Sequence, residues 1–292
     1  SAYLRNLISL RFPKNNNLLE KQITHLPDYA FAGLQKKFNK IIREHAYDYV
    51  LISYVQWANL IREHEFFQGD ATIQGEVSFQ GKTILTMEDC FSRSIYEQHG
   101  TPVPLDKLLQ EEAERVSLFD EVICISWEEM TYFSAHTNKP TFHYVPVFMD
   151  PDVQIPDASL PDARLTNESP SEGLPTWDIL FIGSDHPGNK KGMKWFFDSV
   201  YPLLDKDLKI LVVGKITEAI PDLLNVHKIG FREDLSGIYR QSKVTVNPML
   251  DGTGMKVKVI ESMAHGVPVV STSIGLTGMK PDVRQMFMVS DT

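Results

Sequence analysis

The chain has 292 residues, 42% hydrophobic and 23% charged, and its 38 acidic residues outnumber 29 basic ones to give a net charge of −9. An acidic balance argues against general nucleic-acid binding, which takes a basic excess. Two cysteines, Cys90 and Cys124, are too few for a disulfide framework, and neither a C-x-x-C pair nor a His/Cys metal spacing occurs. With no apolar run near the ~20 residues that span a bilayer, and no signal-peptide pattern in Ser1–Leu7, the expected setting is cytoplasmic and reducing. The length suggests two domains.

Residues 27–46 predict a helix, with Leu34, Phe38, Ile41 and Ile42 on its apolar stripe and Lys36, Lys37, Lys40 and Arg43 away from it. A buried strand follows at 49–55, then a Gly- and Gln-rich loop at 66–82 and a strand at 83–87 ending in Glu88-Asp89. A charged helix at 104–117 leads to a strand at 121–126, a helix at 127–135 and a short strand at 142–145 closed by Pro146. Five prolines then punctuate residues 151–176, which read as a linker or long exposed loop. This divides the chain into 1–150, 151–176 and 177–292.

Beyond the linker the rhythm is regular. Strands are predicted at 178–183, 208–214, 226–229, 243–247 and 267–271, and helices at 191–204, 217–225, 233–241 and 254–265. Alternation of this length implies an α/β domain with a parallel, doubly wound sheet, and its ligand belongs at the C-terminal strand ends. Those ends carry Gly183 and Ser184, then Lys191; Gly214 and Lys215; Phe231 and Arg232; and the turn Asp251-Gly-Thr-Gly254. In the last unit Thr253 reads as an N-cap, and Gly254, Lys258 and Glu261 fall on one helix face. Val257, Ile260 and Ala264 fall on another, expected to pack on the sheet. A helix N-terminus with a lysine one turn in suits a diphosphate, and Glu261 two turns in suits ribose hydroxyls. The bland alternative is a capped surface helix with a Lys258–Glu261 pair, worth a few tenths of a kcal/mol.

Residues 178–279 resemble the nucleotide-binding domain of group-one, retaining-type glycosyltransferases of GT-B fold. The blocks that carry the likeness are Ile179-Leu-Phe-Ile-Gly-Ser-Asp185, Asn189-Lys-Lys-Gly-Met-Lys-Trp-Phe196, Ile229-Gly-Phe-Arg-Glu-Asp-Leu235 and Asn247 through Val270. The first half resembles the family's acceptor domain more loosely, through 49–60, 86–93 and 111–150. The resemblance implies two Rossmann-like domains around a cleft, and transfer of a sugar from a nucleoside diphosphate sugar to a glycan, lipid-linked or protein hydroxyl. It needs no metal and no cofactor beyond that donor substrate.

By the same resemblance, Glu261 is the second glutamate of the E-x7-E motif and binds ribose, while the backbone near Phe231 holds the base. Lys191, with Gly183 and Ser184, pairs with the diphosphate, and Gly254 and Met255 present helix N–H groups to it. Lys215 and Arg232 from the strand ends, and Thr253 and Lys258 from the turn and helix, complete the candidate nucleotide-sugar site. Glu88 and Asp89 stand where the family often has His-Asp, which makes them the catalytic candidates. Two departures bear on this: Thr253 replaces the first motif glutamate, and the family's opening Gly-rich loop and closing helices are not found, so the chain is expected to be incomplete at both ends. Nucleotide-sugar epimerases of the same fold, and a non-catalytic sugar-nucleotide-binding scaffold, are the alternative functions. No nucleic acid is expected as a partner, and the basic helix 34–43 allows a peripheral contact at the inner membrane face.

Overall fold

A computed structural model of the chain describes residues 25–45, 47–62, 79, 81–99, 101–149 and 177–292. The Pro-rich stretch 151–176, and most of the loop expected at 66–82, lie outside the described residues. The first half runs α1 (Ala32–Glu44), β1 (Tyr49–Ser53), β2 (Lys82–Met87), α2 (Phe91–His99), α3 (Leu105–Val116), β3 (Glu121–Cys124), α4 (Trp127–His136) and β4 (Thr141–Tyr144). Its strands pair in parallel in the order β1-β2-β3-β4. Alternate burial along β2 turns Thr83, Leu85 and Met87 into a core shared with Leu34, Leu108, Val116 and Phe133.

The second half runs β5 (Trp177–Ile182), α5 (Pro187–Trp195), β6 (Ile210–Val213), β7 (Val226–Ile229), α6 (Ser236–Arg240), β8 (Ser242–Asn247), α7 (Val257–Ala264), β9 (Val269–Ser271), α8 (Pro281–Arg284) and β10 (Met288–Val289). Its parallel strands follow the order β10-β9-β8-β5-β6-β7. All four residues of β6 are buried, as an apolar run covered on both faces must be. Phe181, Met193 and Val212 pack on one side of this sheet, and Leu180, Leu211 and Tyr239 on the other. The chain leaves β5 toward β6 and returns on its opposite flank as β8, so strand order reverses beside β5. A crevice forms at such a reversal, outside the carboxyl ends of the strands.

The two halves are docked. The backbone N–H of Trp127 donates to Gly278 O at 2.9 Å, and the Tyr144 hydroxyl reaches the same oxygen at 3.0 Å. Gly278 N–H donates to the Glu128 carboxylate at 2.8 Å, and that carboxylate also pairs with Arg284. Tyr144 and Val147 of the first half join the apolar cluster of Met255, Val259, Val269, Leu276 and Met279.

Several local expectations are corrected. The helix expected at 254–265 spans only Val257–Ala264, with Lys256 at the N-cap position and no side-chain cap. Thr253 is therefore not the cap, and Gly254 and Met255 precede the helix; left-handed φ values at Gly252 (101°) and Gly254 (71°) keep the chain in a turn. Its buried side carries Val259 and Ser262, whereas Val257 is exposed. No surface Lys258–Glu261 pair forms, because the Lys258 ammonium turns inward to Asn189. The helix expected at 217–225 is a short 3-10 turn, Lys215–Ala219. The helix expected at 191–204 starts earlier, at Pro187, and passes through a π stretch, Phe196–Val200. Helix α2 was not anticipated; the buried carboxylate of Glu112 holds its start by accepting from the N–H groups of Phe91 (3.0 Å) and Ser92 (2.7 Å).

Candidate active site

A cleft of about 1150 Å³ opens at the carboxyl ends of β5, β6, β7 and β8. Its floor depends on a close backbone approach. Gly214 has φ 103°, and a Cβ there would lie 2.3 Å from Gly183 O. Only glycine lets the ends of β5 and β6 meet this closely. Ser184, also lining the cleft, accepts from the Asn189 amide through its backbone oxygen at 3.0 Å.

One wall is α5, whose N-cap His186 accepts the Gly188 N–H on its ring nitrogen at 3.2 Å. Lys191, on the exposed side of α5, pairs with Asp251 at 2.7 Å. The opposing wall is the 251–256 turn and the start of α7. There the Lys256 ammonium donates to three successive carbonyls, Gly252 (3.2 Å), Thr253 (2.8 Å) and Gly254 (3.1 Å). One half-buried cation thus fixes the turn. From the first half, Glu88 and Asp89 press on it: a Cβ at Gly254 would meet Glu88 O at 3.0 Å.

Lys258 reaches into the cleft from α7. Its ammonium donates to Asn189 Oδ1 at 2.7 Å and stands 4.5 Å from the Phe181 ring centroid. Burial first, then the neighbouring Lys256 charge, push it down to about 7, with Glu261 acting in the opposite sense. Three residues on, the Glu261 carboxylate lines the cleft and accepts from the Tyr239 hydroxyl at 3.1 Å. Phe231, 70% exposed, and Arg232 line the end beside β7.

The first half contributes Asp89 and Glu97. Burial, followed by Glu88, raises the Asp89 carboxyl above its ordinary value. Glu88 itself is not among the lining residues; its carboxylate accepts from Tyr54 at 2.6 Å.

The structure therefore brings together Asp89, Gly183, Ser184, Lys191, Lys215, Phe231, Arg232, Thr253, Met255, Lys258 and Glu261 around one cavity. Gly254 lies in the wall rather than on it. Sequence reasoning missed His186, Glu97, Lys256 and Tyr239. For Lys256 a signal existed, a lysine two residues after a Gly-x-Gly turn; for the other three none did. Among the described residues no group of three or more His, Cys, Asp or Glu is arranged to hold a metal ion, and no helix is long and apolar enough to cross a membrane.

Residues 176–291 match the family model described as "Glycosyl transferases group 1". An uncharacterized 44.6 kDa protein in the cps region of Klebsiella pneumoniae is 32% identical over 121 residues, 36% of this chain and 31% of that protein. Among solved structures, a sucrose-phosphate synthase from Thermosynechococcus elongatus superposes with TM-score 0.56 at 17% identity, over 82% of this chain and 60% of that one. Anabaena Alr3699/HepE in complex with UDP does so with TM-score 0.61 at 15% identity, over 88% and 68%. The chain spans about a third of that curated relative and about 60% of the synthase. The molecule has the GT-B fold of these structures, two Rossmann-like halves facing one cleft, and the part of it that matches the group 1 glycosyltransferase model, residues 176–291, is the half that carries most of the cleft.

Proposed function

We propose that this chain carries the site of a glycosyltransferase that moves a sugar from a nucleoside diphosphate sugar to a hydroxyl of a glycan, lipid-linked or protein acceptor. The observation that supports this most is the sorting of charge around the cleft: Lys191, held by Asp251, and Lys258, held by Asn189, line it together with Gly183 and Ser184, while Glu261 sits one helical turn further along α7. That spacing suits a diphosphate next to a ribose. In this reading the β7 end, with Phe231 and Arg232, takes the base, and Glu261 accepts the ribose hydroxyls.

Lys191 and Lys258 then meet the charge that grows on the leaving diphosphate, so the proposal includes no metal ion. The Lys191–Asp251 pair is largely exposed, and pairs of that kind are worth about 0–1 kcal/mol. A diphosphate oxygen displaces Asp251 at little cost. Asp89, on the opposite side of the cleft and with its carboxyl raised above its ordinary value by burial and then by Glu88, is the group we assign to the acceptor hydroxyl's proton. Glu88 supports it from outside the cleft. The reaction belongs in the cytoplasm, and a lipid-linked acceptor would bring the exposed Lys36, Lys37 and Lys40 of α1 to the inner membrane face. Nucleic acid has no role.

The test is thermal unfolding with UDP, ADP and GDP, followed by transfer assays. A ligand at 100 times its Kd adds about 2.7 kcal/mol of stability. One nucleotide should raise the Tm of the wild type and not of Glu261→Ala. Asp89→Asn should keep that shift and lose transfer, by roughly 10²–10⁴-fold for a proton-transfer group. A wild type that responds to none of the three nucleotides overturns the reading; a shift with no transfer to any acceptor moves it to a binding protein.

A further inference from the structure

We infer that Tyr239 is a positioning residue for nucleotide binding, aiming the Glu261 carboxylate at the ribose; this rests on the reading of the cleft proposed above. Tyr239 lies on α6, only 1% exposed, packed with Trp177, Leu180 and Leu211 behind the cleft. A buried tyrosine hydroxyl needs a polar partner, which a phenylalanine in the same place would not. Its acceptor is Glu261 Oε2, at 3.1 Å, with the Ser262 hydroxyl also against it. The ring is itself held: it stacks on His265 with centroids 4.7 Å apart and planes 18° from parallel.

His265 caps α7 four residues past Glu261, its N–H still bonded to the Glu261 carbonyl at 3.0 Å, so the two side chains lie one above the other. One tyrosine therefore rests its ring on the first and bonds the second. A glutamate on an open helix face samples many rotamers, and each must be given up when it receives two hydroxyls at once. Donation from Tyr239 occupies one lone pair of Oε2 and fixes the carboxylate plane. Oε1 and the remaining lone pair stay available, enough to accept two ribose hydroxyls. The same ring ties α7 to α6, whose chain begins just past Phe231 and Arg232 at the proposed base end. Base and ribose contacts are thus set by one side chain that touches neither.

Isothermal titration of the full chain with UDP, ADP and GDP tests this, using the nucleotide that binds and its 2′,3′-dideoxy form. Tyr239→Phe should weaken the ribonucleotide roughly three- to tenfold, the loss expected for one hydrogen bond to a carboxylate. The dideoxy form should change less than about twofold, because the hydroxyls that Glu261 receives are gone. Glu261→Ala should give the same pattern more strongly. Equal losses for both nucleotides would make Tyr239 a packing residue only, and no loss for either, with Glu261→Ala still weakening the ribonucleotide, would also overturn the proposal while leaving the site reading intact. If no nucleotide binds, or Glu261→Ala binds like the wild type, the site reading falls and this inference with it. Should Tyr239→Phe fail to fold, His265→Gln carries the same test: a loss confined to the ribonucleotide supports the inference, and any other pattern overturns it.

Discussion

Lys258 makes the proposed diphosphate site sensitive to pH in a way that can be worked from its surroundings. Its ammonium is enclosed by Asn189, Met249 and the Phe181 ring, with Lys256 nearby and Glu261 acting in the opposite sense. Enclosure pushes it down to about 7 from an ordinary 10.5. The free protein therefore loses this charge as pH rises through 7, whereas a bound diphosphate holds the proton on. Ligand affinity tracks the charged fraction: about half at pH 7 and about one part in thirty at pH 8.5, a loss of roughly 15-fold, near the limiting slope of about 1.4 kcal/mol per pH unit. Isothermal titration at both pH values, in two buffers of different ionisation enthalpy, reads this directly. Close to one proton should be taken up per ligand at pH 8.5, and about half a proton at pH 7. Lys258→Met should bind more weakly at pH 7 and lose the slope. Wild-type binding with no net proton uptake at pH 8.5 would refute the reasoning, as would a Lys258→Met protein with the same pH dependence.

Two stability predictions use the same kind of argument. Glu129 is 6% exposed, and its Oε2 has no hydrogen-bond partner; burial, then Glu112 and Asp89, raise it from 4.5 to about 8. Because the folded value is raised, its contribution is fully present below 4.5 and lost as pH rises through 8, so the wild type should lose on the order of 2–3 kcal/mol relative to Glu129→Gln between pH 5 and pH 7. Denaturant titrations of both proteins at the two pH values measure this, and parallel behaviour would sink it. Gly214→Ala combines φ 103° with a Cβ 2.3 Å from Gly183 O, and should cost on the order of 2–3 kcal/mol. A Tm within about 1 °C of the wild type would show that the floor of the cleft yields instead.

Much of the fold was legible because parallel strands buried on both faces leave continuous apolar runs. Ile210–Val213 and Trp177–Ile182 announce themselves this way, and the glycines after them mark the strand ends. The ends converge on a cleft because strand order reverses at β5, which follows from the alternation and not from any one residue. Illegible were the places where a tertiary contact overrides local preference. The 254–265 pattern reads as one helix, yet the Lys256 ammonium gathers the carbonyls of residues 252–254 and holds them in a turn, so the helix starts later. Lys258 and Glu261 have the spacing of a surface pair, and Asn189, 69 residues away, takes the lysine instead. Tyr239 carries no local signal, since nothing in the residues around it tells that its hydroxyl faces Glu261.

The same contacts bear on Thr253, which stands where the family motif has its first glutamate. The turn around it takes its shape from backbone carbonyls on Lys256 and from the close fit of Gly254 against Glu88 O, and neither needs a carboxylate at 253. A glutamate there would add a second negative charge to a wall already bearing Asp251, within reach of the lysines that the proposed diphosphate needs. The carboxylate proposed to handle the acceptor's proton comes from the other half: Asp89 lines the same cavity, and the docking of Glu88-Asp89 onto the turn brings it there. The carboxylate's position then depends on how the two halves sit together, which the Glu128 bridge to Gly278 and Arg284 helps to set. If Asp89 handles the acceptor's proton as proposed, its dependence on the docked halves would couple closure of the cleft to transfer.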